Sequence, residues 1–320
     1  MSSFKKDLVS VVIPVYNVDN YIQNTIESVI KQTYKEIEVI IINDGSTDGT
    51  ENIILKLIEK HDNIKYYYQP NKGVSAARNY GVSMSVGKFI AFLDGDDLWR
   101  STKIEKQLCK MQTDNSNACY CGYTIFKKTN TIHEEINNYL EGNIFISSLK
   151  GLVKAWTCTW VIDKNIISKN KLCFTEGYNW AEDTEFFLKI MAITKVSVVQ
   201  ESLALLRIRD NSLTNYNEGF SSYKVQVVLA YKRLQNWIEQ NTESIENSNL
   251  AISIIKDRLL PTESMNYLFK SKLLKKDLSE FIDESELKTY INNYAFSLEL
   301  SSLKFMGKKH ILKLLNILWR

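Results

Sequence analysis

The chain has 320 residues, 44% of them hydrophobic and 24% charged, the balance of a folded protein rather than a disordered one. A net charge of +3, without basic residues interleaved with aromatics, argues against a nucleic-acid footprint. Three scattered histidines (His61, His133 and His310) argue against a histidine zinc site or a Ser-His-Asp triad.

The N-terminal stretch "MSSFKKDLVSVVIPVYN" carries two lysines and a short apolar run broken by Pro14, so it reads as a first strand rather than a signal peptide. "LVSVVIPVY" (8–16) is a short run rich in β-branched residues, the mark of a buried strand. In 19–32, Ile22, Ile26, Val29 and Ile30 recur at helical spacing; 36–44 is strand and 49–61 helix. Strand 63–69, helix 73–85 and strand 88–94 follow. Four strands alternating with three helices in under 100 residues predict a parallel sheet with helices on its faces, whose ligands bind beyond the carboxyl ends of the strands. From about 117 the pattern loosens: 118–126 and 156–163 read as strands, 180–194 as a helix, and 196–209 as a strand bent midway. Beyond about 220 the chain reads as helical, with long segments at 221–240 and 247–270.

The five cysteines (Cys109, Cys119, Cys121, Cys158 and Cys173) are odd in number and include no C-x-x-C pair, which predicts reduced, mostly buried thiols. No run of 18 apolar residues exists, so the expected location is the cytoplasm.

Polar clusters sit where the strands end: Tyr16-Asn17 after the first, Asp44-Gly45-Ser46 after the second, and Asp94 to Asp97 after the fourth. Three carboxylates in four positions repel unless a cation sits among them; a solvated Asp-Gly turn is the alternative. The first βα turn lacks G-x-G-x-x-G, against a dinucleotide cofactor, and no P-loop motif occurs. Asp44 is placed to accept a hydrogen bond from a base N–H such as uracil N3, with capping of the next helix as its alternative and Asp48 as the better cap. Arg78, in a helix whose Ala76-Ala77 pair permits close approach, sits near the strand tips, where a diphosphate or a carboxylate such as Asp94 is its partner.

"VSVVIPVYNVDNYIQNTIESVIKQTYKEIEVIIINDGSTDGT", "NKGVSAARNYG" and "FIAFLDGDDLW", in that order, resemble the inverting family 2 glycosyltransferases of GT-A fold, densely over 8–105 and loosely to about 215. The resemblance implies an α/β, Rossmann-like, mostly parallel sheet flanked by helices, a nucleotide-sugar donor (usually a UDP-sugar) and Mn²⁺ or Mg²⁺. It maps D-x-D onto Asp94-Gly95-Asp96: Asp94 on the ribose or sugar side, Asp96 as metal ligand, and Gly95 letting backbone approach the ligand. Pro14, Tyr16, Asn17, Asp44, Lys72 and Arg78 complete the expected nucleotide-sugar set, with Arg209 (or Arg207) from the basic "LRIRDNSLT" loop. The family's Glu-Asp pair falls at Glu182-Asp183, with Asp183 as the base and Trp180 stacking on an acceptor sugar or merely packing. An acidic first turn complementing a helix dipole is the alternative for that pair.

The expected organisation is a glycosyltransferase domain over 1–218, with a nucleotide-sugar half to about 105 and an acceptor half from 106, followed by a helical region over 219–320. Its tail, 303–320, has five cationic residues, no acid and a candidate apolar stripe ending in Trp319. It suits an anionic membrane surface at the cytoplasmic face, or else a packing helix or homo-oligomer contact, and Gly307 interrupts it. The acceptor class expected is a glycan or lipid-linked oligosaccharide of surface polysaccharide synthesis. Two other classes compete. A sugar-phosphate nucleotidylyltransferase wants a glycine-rich basic loop where "IPVYNVDNY" stands, and a non-catalytic assembly module would tolerate loss of motifs that are present here.

Overall fold

The computed structural model describes residues 5–126, 132–134, 139–153, 156–178, 180–209, 220–260, 262, 263, 285 and 289. Expectations placed on 210–219 and on the tail 303–320 lie outside these residues.

The β-branched runs form the expected strands: β1 (Lys5–Val15), β2 (Ile37–Asp44), β3 (Ile64–Gln69) and β4 (Gly87–Phe92). Every residue of β2 is buried, as a strand covered on both faces requires. Between them run α1 (Ile22–Ile30), α2 (Thr50–Ile58) and α3 (Val74–Met84). All three pairings, β1 with β2, β2 with β3 and β1 with β4, are parallel. Helix α3 lies tight on β1, where a Cβ on Gly81 would come within 2.3 Å of Val12. Gly81 therefore sets this approach more tightly than the Ala76-Ala77 pair.

After β4 the chain turns through Asp94–Asp97 into the two-residue β5 (Leu98–Trp99) and α4 (Lys103–Asp114), which the sequence reading missed. Then come β6 (Ala118–Phe126), β7 (Ile132–Glu134), α5 (Phe145–Leu149) and a 3₁₀ turn at Thr157–Thr159. The series continues with β8 (Val161–Asp163), α6 (Lys164–Lys169), α7 (Glu182–Ile193) and β9 (Val196–Arg207). The stretch 156–163 is thus not one strand: the amide and hydroxyl of Thr159 turn back onto the Trp156 carbonyl, at 2.9 and 2.7 Å, leaving only Val161–Asp163 to pair. β9 carries the predicted irregularity, seen as a register shift opposite Gly122.

The sheet order is β3-β2-β1-β4-β8-β6-β9-β5, with β7 on β6. β8 is antiparallel to both β4 and β6, and β9 is parallel to β6. So β1 to β4, β6 and β9 all point one way, and their carboxyl ends share one edge with the start of β8. The antiparallel pairings span only two or three residue pairs each, so the sheet is mostly parallel.

By its contacts the chain divides into one compact unit of residues 1–218 with 241–247, and a second of 219–240 with 248–320. In the second, α8 (Phe220–Gln240) contacts α9 (Ser248–Ile254) and a π-helical turn, Ile255–Leu259. Among the described residues no helix is long and apolar enough to cross a membrane. All five cysteines are free; Cys119, Cys121 and Cys158 are buried, Cys109 and Cys173 exposed.

One residue of α4 opposes the usual logic of a core. Lys103 is fully buried, its Nζ has no hydrogen-bond partner, and it lies 4.1 Å from the centre of the Trp99 ring. Burial lowers its pKa from the usual 10.5. Between the lowered value and 10.5 the unfolded chain binds a proton that the folded one does not, so stability rises with pH across that window. Lys103→Met should raise the unfolding free energy at neutral pH by about 1–3 kcal/mol, the cost of an unsatisfied buried donor, and should flatten the rise. Denaturant unfolding of both forms from neutral to alkaline pH measures this.

Candidate active site

The shared strand edge gathers the predicted residues. Asp94, Asp96 and Asp97 leave β4 in a turn closed by the Asp97 amide on the Asp94 carbonyl at 3.0 Å. Asp94 is the most open, with 36% of its side chain exposed, and accepts from Arg78 at 2.9 Å. Arg78, from α3, has a side chain only 5% exposed; its other terminal nitrogen donates to Glu182 at 3.1 Å, and its guanidinium lies 5.2 Å from the centre of Phe174. Its Nε has no hydrogen-bond partner. Burial works against the charge, but Asp94, Glu182 and Asp183 hold the guanidinium more firmly protonated than usual. The Asp94 carboxylate is one of the two partners expected for Arg78.

Glu182 and Asp183 open α7, which follows Ala181 in a left-handed conformation at φ 59°. A stacked aromatic core fixes this helix: Phe186 lies 4.1 Å from Phe174, and Phe187 4.9 Å from Trp160, centre to centre. Glu182 is buried, and burial together with the adjacent Asp183 carboxylate raises its pKa to about 7 against the pull of Arg78. Asp183 is half-buried; one oxygen accepts from the Thr157 hydroxyl at 3.2 Å, the other from the Thr184 amide at 2.6 Å. Trp180, also half-buried, precedes the helix.

From the end of β9, Arg209 Nε lies 2.6 Å from Asp96 Oδ2, an ion pair without hydrogen-bond alignment. Arg207 donates its Nε to the Asp96 carbonyl and its amide to Asp97 Oδ1, both at 2.8 Å. Burial and repulsion from its neighbouring aspartates raise Asp97 well above the ordinary carboxylate range, while burial raises Asp96 against the attraction of Arg209. Asp97 therefore ties the turn to β9.

On the other side of β1, Asp44 is buried and accepts from Gln69 Nε2 at 2.7 Å and from the amides of Lys72 and Gly73 at 2.8 and 2.9 Å. It orders the loop before α3 and does not cap α2; Asp48 holds the Thr50 amide there, at 3.0 Å. A carboxylate has about four acceptor directions, so Asp44 keeps one open. Pro14 is buried at the end of β1, and Tyr16, Asn17 and Lys72 are exposed. Asn17 ties the first tip to the second, accepting from the Thr47 amide at 2.8 Å. A Cβ on Gly95 would meet Val15 and Val18 at 3.1 Å, so its small size also serves packing against β1. A separate cavity of about 310 Å³ between α1 and β5 contains none of the three aspartates.

A carboxylate cluster at the carboxyl edge of the mostly parallel sheet is thus answered by arginines and by an acidic helix start. The chain belongs to glycosyl transferase family 2, whose family model matches residues 10–173. A glycosyltransferase of Rickettsia typhi is 35% identical over 216 residues, covering 65% of this chain and 66% of that one. A Bacillus subtilis protein, named as the putative teichuronic acid biosynthesis glycosyltransferase TuaG, is 34% identical over 149 residues, 46% of this chain and 59% of its own. Alignments to relatives from Rickettsia conorii and Rickettsia bellii span 47% and 32% of those proteins' lengths. Among solved structures, S. aureus TarS 1–349 in complex with UDP-GlcNAc matches with a TM-score of 0.64 at 19% identity, over 89% of this chain and 79% of that one. The mannosyltransferase PcManGT from Pyrobaculum calidifontis, in complex with GDP-Man and Mn²⁺, matches at 0.53 and 12% identity, over 93% and 88%. At these identities the likeness establishes the fold.

Removing Arg78 strands two carboxylates at once. Arg78→Met should cost about 3–5 kcal/mol, the scale for breaking a buried ion pair, and Arg78→Met with Glu182→Gln should recover a large part of it. Chemical unfolding of the three proteins at neutral pH gives the comparison.

Proposed function

We propose that this protein transfers a sugar from a nucleoside-diphosphate sugar, a UDP-sugar, to a hydroxyl of a glycan or lipid-linked acceptor, with inversion by single displacement. The observation that carries the reading is that Arg78 links Asp94 to Glu182, which adjoins Asp183, with Asp96 two residues from Asp94 and paired with Arg209. The UDP-GlcNAc bound by TarS and the polysaccharide role in the name of TuaG support the donor class and the product class.

Asp94 and Asp96 offer hard oxygen donors of the kind that suit Mn²⁺ or Mg²⁺. Among the described residues no three acidic, histidine or cysteine side chains form a metal cage. Asp96, with Asp94 beside it, would hold such a cation. When bound, it supplies positive charge to the departing diphosphate. The chain's residues do the rest in our reading. Asp96 holds the cation, and Asp94 and Arg78 position the ribose and sugar. Asp44 presents its open acceptor direction to the base, beside Pro14, Tyr16, Asn17 and Lys72. Asp183 takes the proton of the acceptor hydroxyl as its oxygen bonds to the anomeric carbon and the bond from that carbon to the diphosphate oxygen breaks. UDP leaves with both electrons of that bond. Arg209, released from Asp96, meets the diphosphate.

Calorimetry with UDP, GDP and CDP, with and without Mn²⁺, tests the donor side: UDP should bind best, Mn²⁺ should strengthen it, and Asp96→Ala should abolish that gain. Asp183→Asn should keep donor affinity and lose at least about 10²-fold in turnover, the scale of a lost general base. Normal turnover in that variant would remove Asp183 from the base role.

We assign the tail to an anionic membrane surface. Five cationic residues, each contributing about 1 kcal/mol near such a surface, should hold the chain on phosphatidylglycerol vesicles at low salt, less so at high salt. Sedimentation of the full chain and of a form ending at residue 302 decides it, and equal partition of the two excludes the tail.

A further inference from the structure

The strand directions bring a residue with no assigned role to the active edge. β8 runs against β4, so the segment entering it, Trp156 to Trp160, starts on the side where Asp94 lies. Thr157, Cys158, Thr159 and Trp160 are all buried, whereas Trp156 is 42% exposed. One exposed aromatic is ordinary on a protein surface; what sets Trp156 apart is that it is held in place beside the site.

The exposure is not looseness. The Trp156 carbonyl accepts from the amide and hydroxyl of Thr159 at 2.9 and 2.7 Å, closing the 3₁₀ turn. Its ring meets Tyr123 at 6.0 Å and 72°, edge to face, and Tyr123 is itself 1% exposed on β6. The backbone and one edge of the indole are thus held by the core. The next residue, Thr157, donates its hydroxyl to Asp183 at 3.2 Å. A rigid exposed indole therefore stands one residue from the group that touches the proposed base.

A pyranose has a C–H-rich face and a rim of hydroxyls. An aromatic plane beside a carboxylate matches both, because the plane covers the C–H face while the carboxylate accepts from a hydroxyl. We propose that Trp156 is the platform on which the sugar ring of the acceptor stacks, with its attacking hydroxyl directed to Asp183. The acceptor at this position is then a pyranose unit of a glycan, rather than a polyol phosphate or a protein side chain. The assignment rests on the transferase reading above and makes Trp156 a specificity-determining residue of the acceptor side.

Saturation-transfer NMR on the full chain with UDP and Mn²⁺ present tests it. The probes are methyl β-D-glucopyranoside, methyl β-D-galactopyranoside, methyl N-acetyl-β-D-glucosaminide and methyl α-L-rhamnopyranoside, with glycerol 3-phosphate as the acyclic comparison. In the wild type the ring protons of at least one pyranoside should be saturated and those of glycerol 3-phosphate should not. Trp156→Phe should keep the signal. Trp156→Ala should weaken pyranoside binding about three- to tenfold, the scale of one lost aromatic stack, with UDP affinity unchanged by calorimetry. Full pyranoside binding in Trp156→Ala, or saturation of glycerol 3-phosphate alone, overturns the proposal. So does the absence of any pyranoside signal in a wild type that binds UDP. A wild type that binds neither UDP nor pyranoside overturns the transferase reading itself, which the UDP titration distinguishes.

Discussion

Arg78 is the charge on which the site depends. A guanidinium with 5% of its side chain exposed is expensive unless compensated, and two carboxylates from opposite sides of the site compensate it. Asp94 comes from the turn after β4, and Glu182 from the first turn of α7, 88 residues later. One side chain therefore ties the end of the parallel half of the sheet to the helix that carries Asp183. The planar fork of arginine makes this possible, since its two terminal nitrogens serve two carboxylates at once where a lysine would offer a single point charge. Phe174 beneath the guanidinium adds a face that needs no hydrogen bond. It also belongs to the stack that fixes α7, so the apolar core and the ion pairs hold the helix in register together.

The first half of the fold was legible because burial and periodicity agree there. β2 is buried along its whole length, and its run of isoleucines shows it. The second half hid its elements for identifiable reasons. The helix α4 reads "KIEKQLCKMQTD", and its buried face includes Lys103 and Gln107. A periodicity search scores those residues as surface. Gln107 is buried because its side-chain amide donates to the carbonyls of Cys119 and Thr159, at 2.9 and 2.8 Å, a purpose that no local pattern reveals. The segment 156–163 was read as one strand from its tryptophans, threonines and valine, and the Thr159 side chain broke it by bonding backward. That misreading also concealed Trp156, since a strand tryptophan counts as core.

The site was legible to the extent that its chemistry lies in contiguous motifs. Asp94 to Asp97 stand together in the chain, and their mutual repulsion announces a need for positive charge. What supplies that charge in the folded protein comes from far away. Arg207 ends β9 and Arg209 follows it, more than a hundred residues later, and only the closing of the sheet brings them to the turn. Their pairing with Asp97 and Asp96 depends on β9 reaching past β6 and onto β5, a register set by a bulge opposite Gly122.

The three aspartates are consequently not equivalent, although the sequence writes them alike. Asp97 is buried, and the Arg207 amide holds one of its oxygens, so burial and its neighbours drive it toward the protonated form and it serves as a fastening. Asp96 keeps 14% of its side chain exposed and meets a whole guanidinium. Asp94 is open to solvent on one side and fixed by Arg78 on the other. Openness thus rises from Asp97 to Asp94, and the carboxylate nearest Arg78 and α7 is also the one most available to a ligand. A turn that only reversed the chain would not need a buried arginine at one end and a pair of arginines at the other. The cost of crowding three carboxylates into four residues is met by arginines from two separate parts of the fold, α3 and the end of β9, and that gradient of exposure is what they maintain.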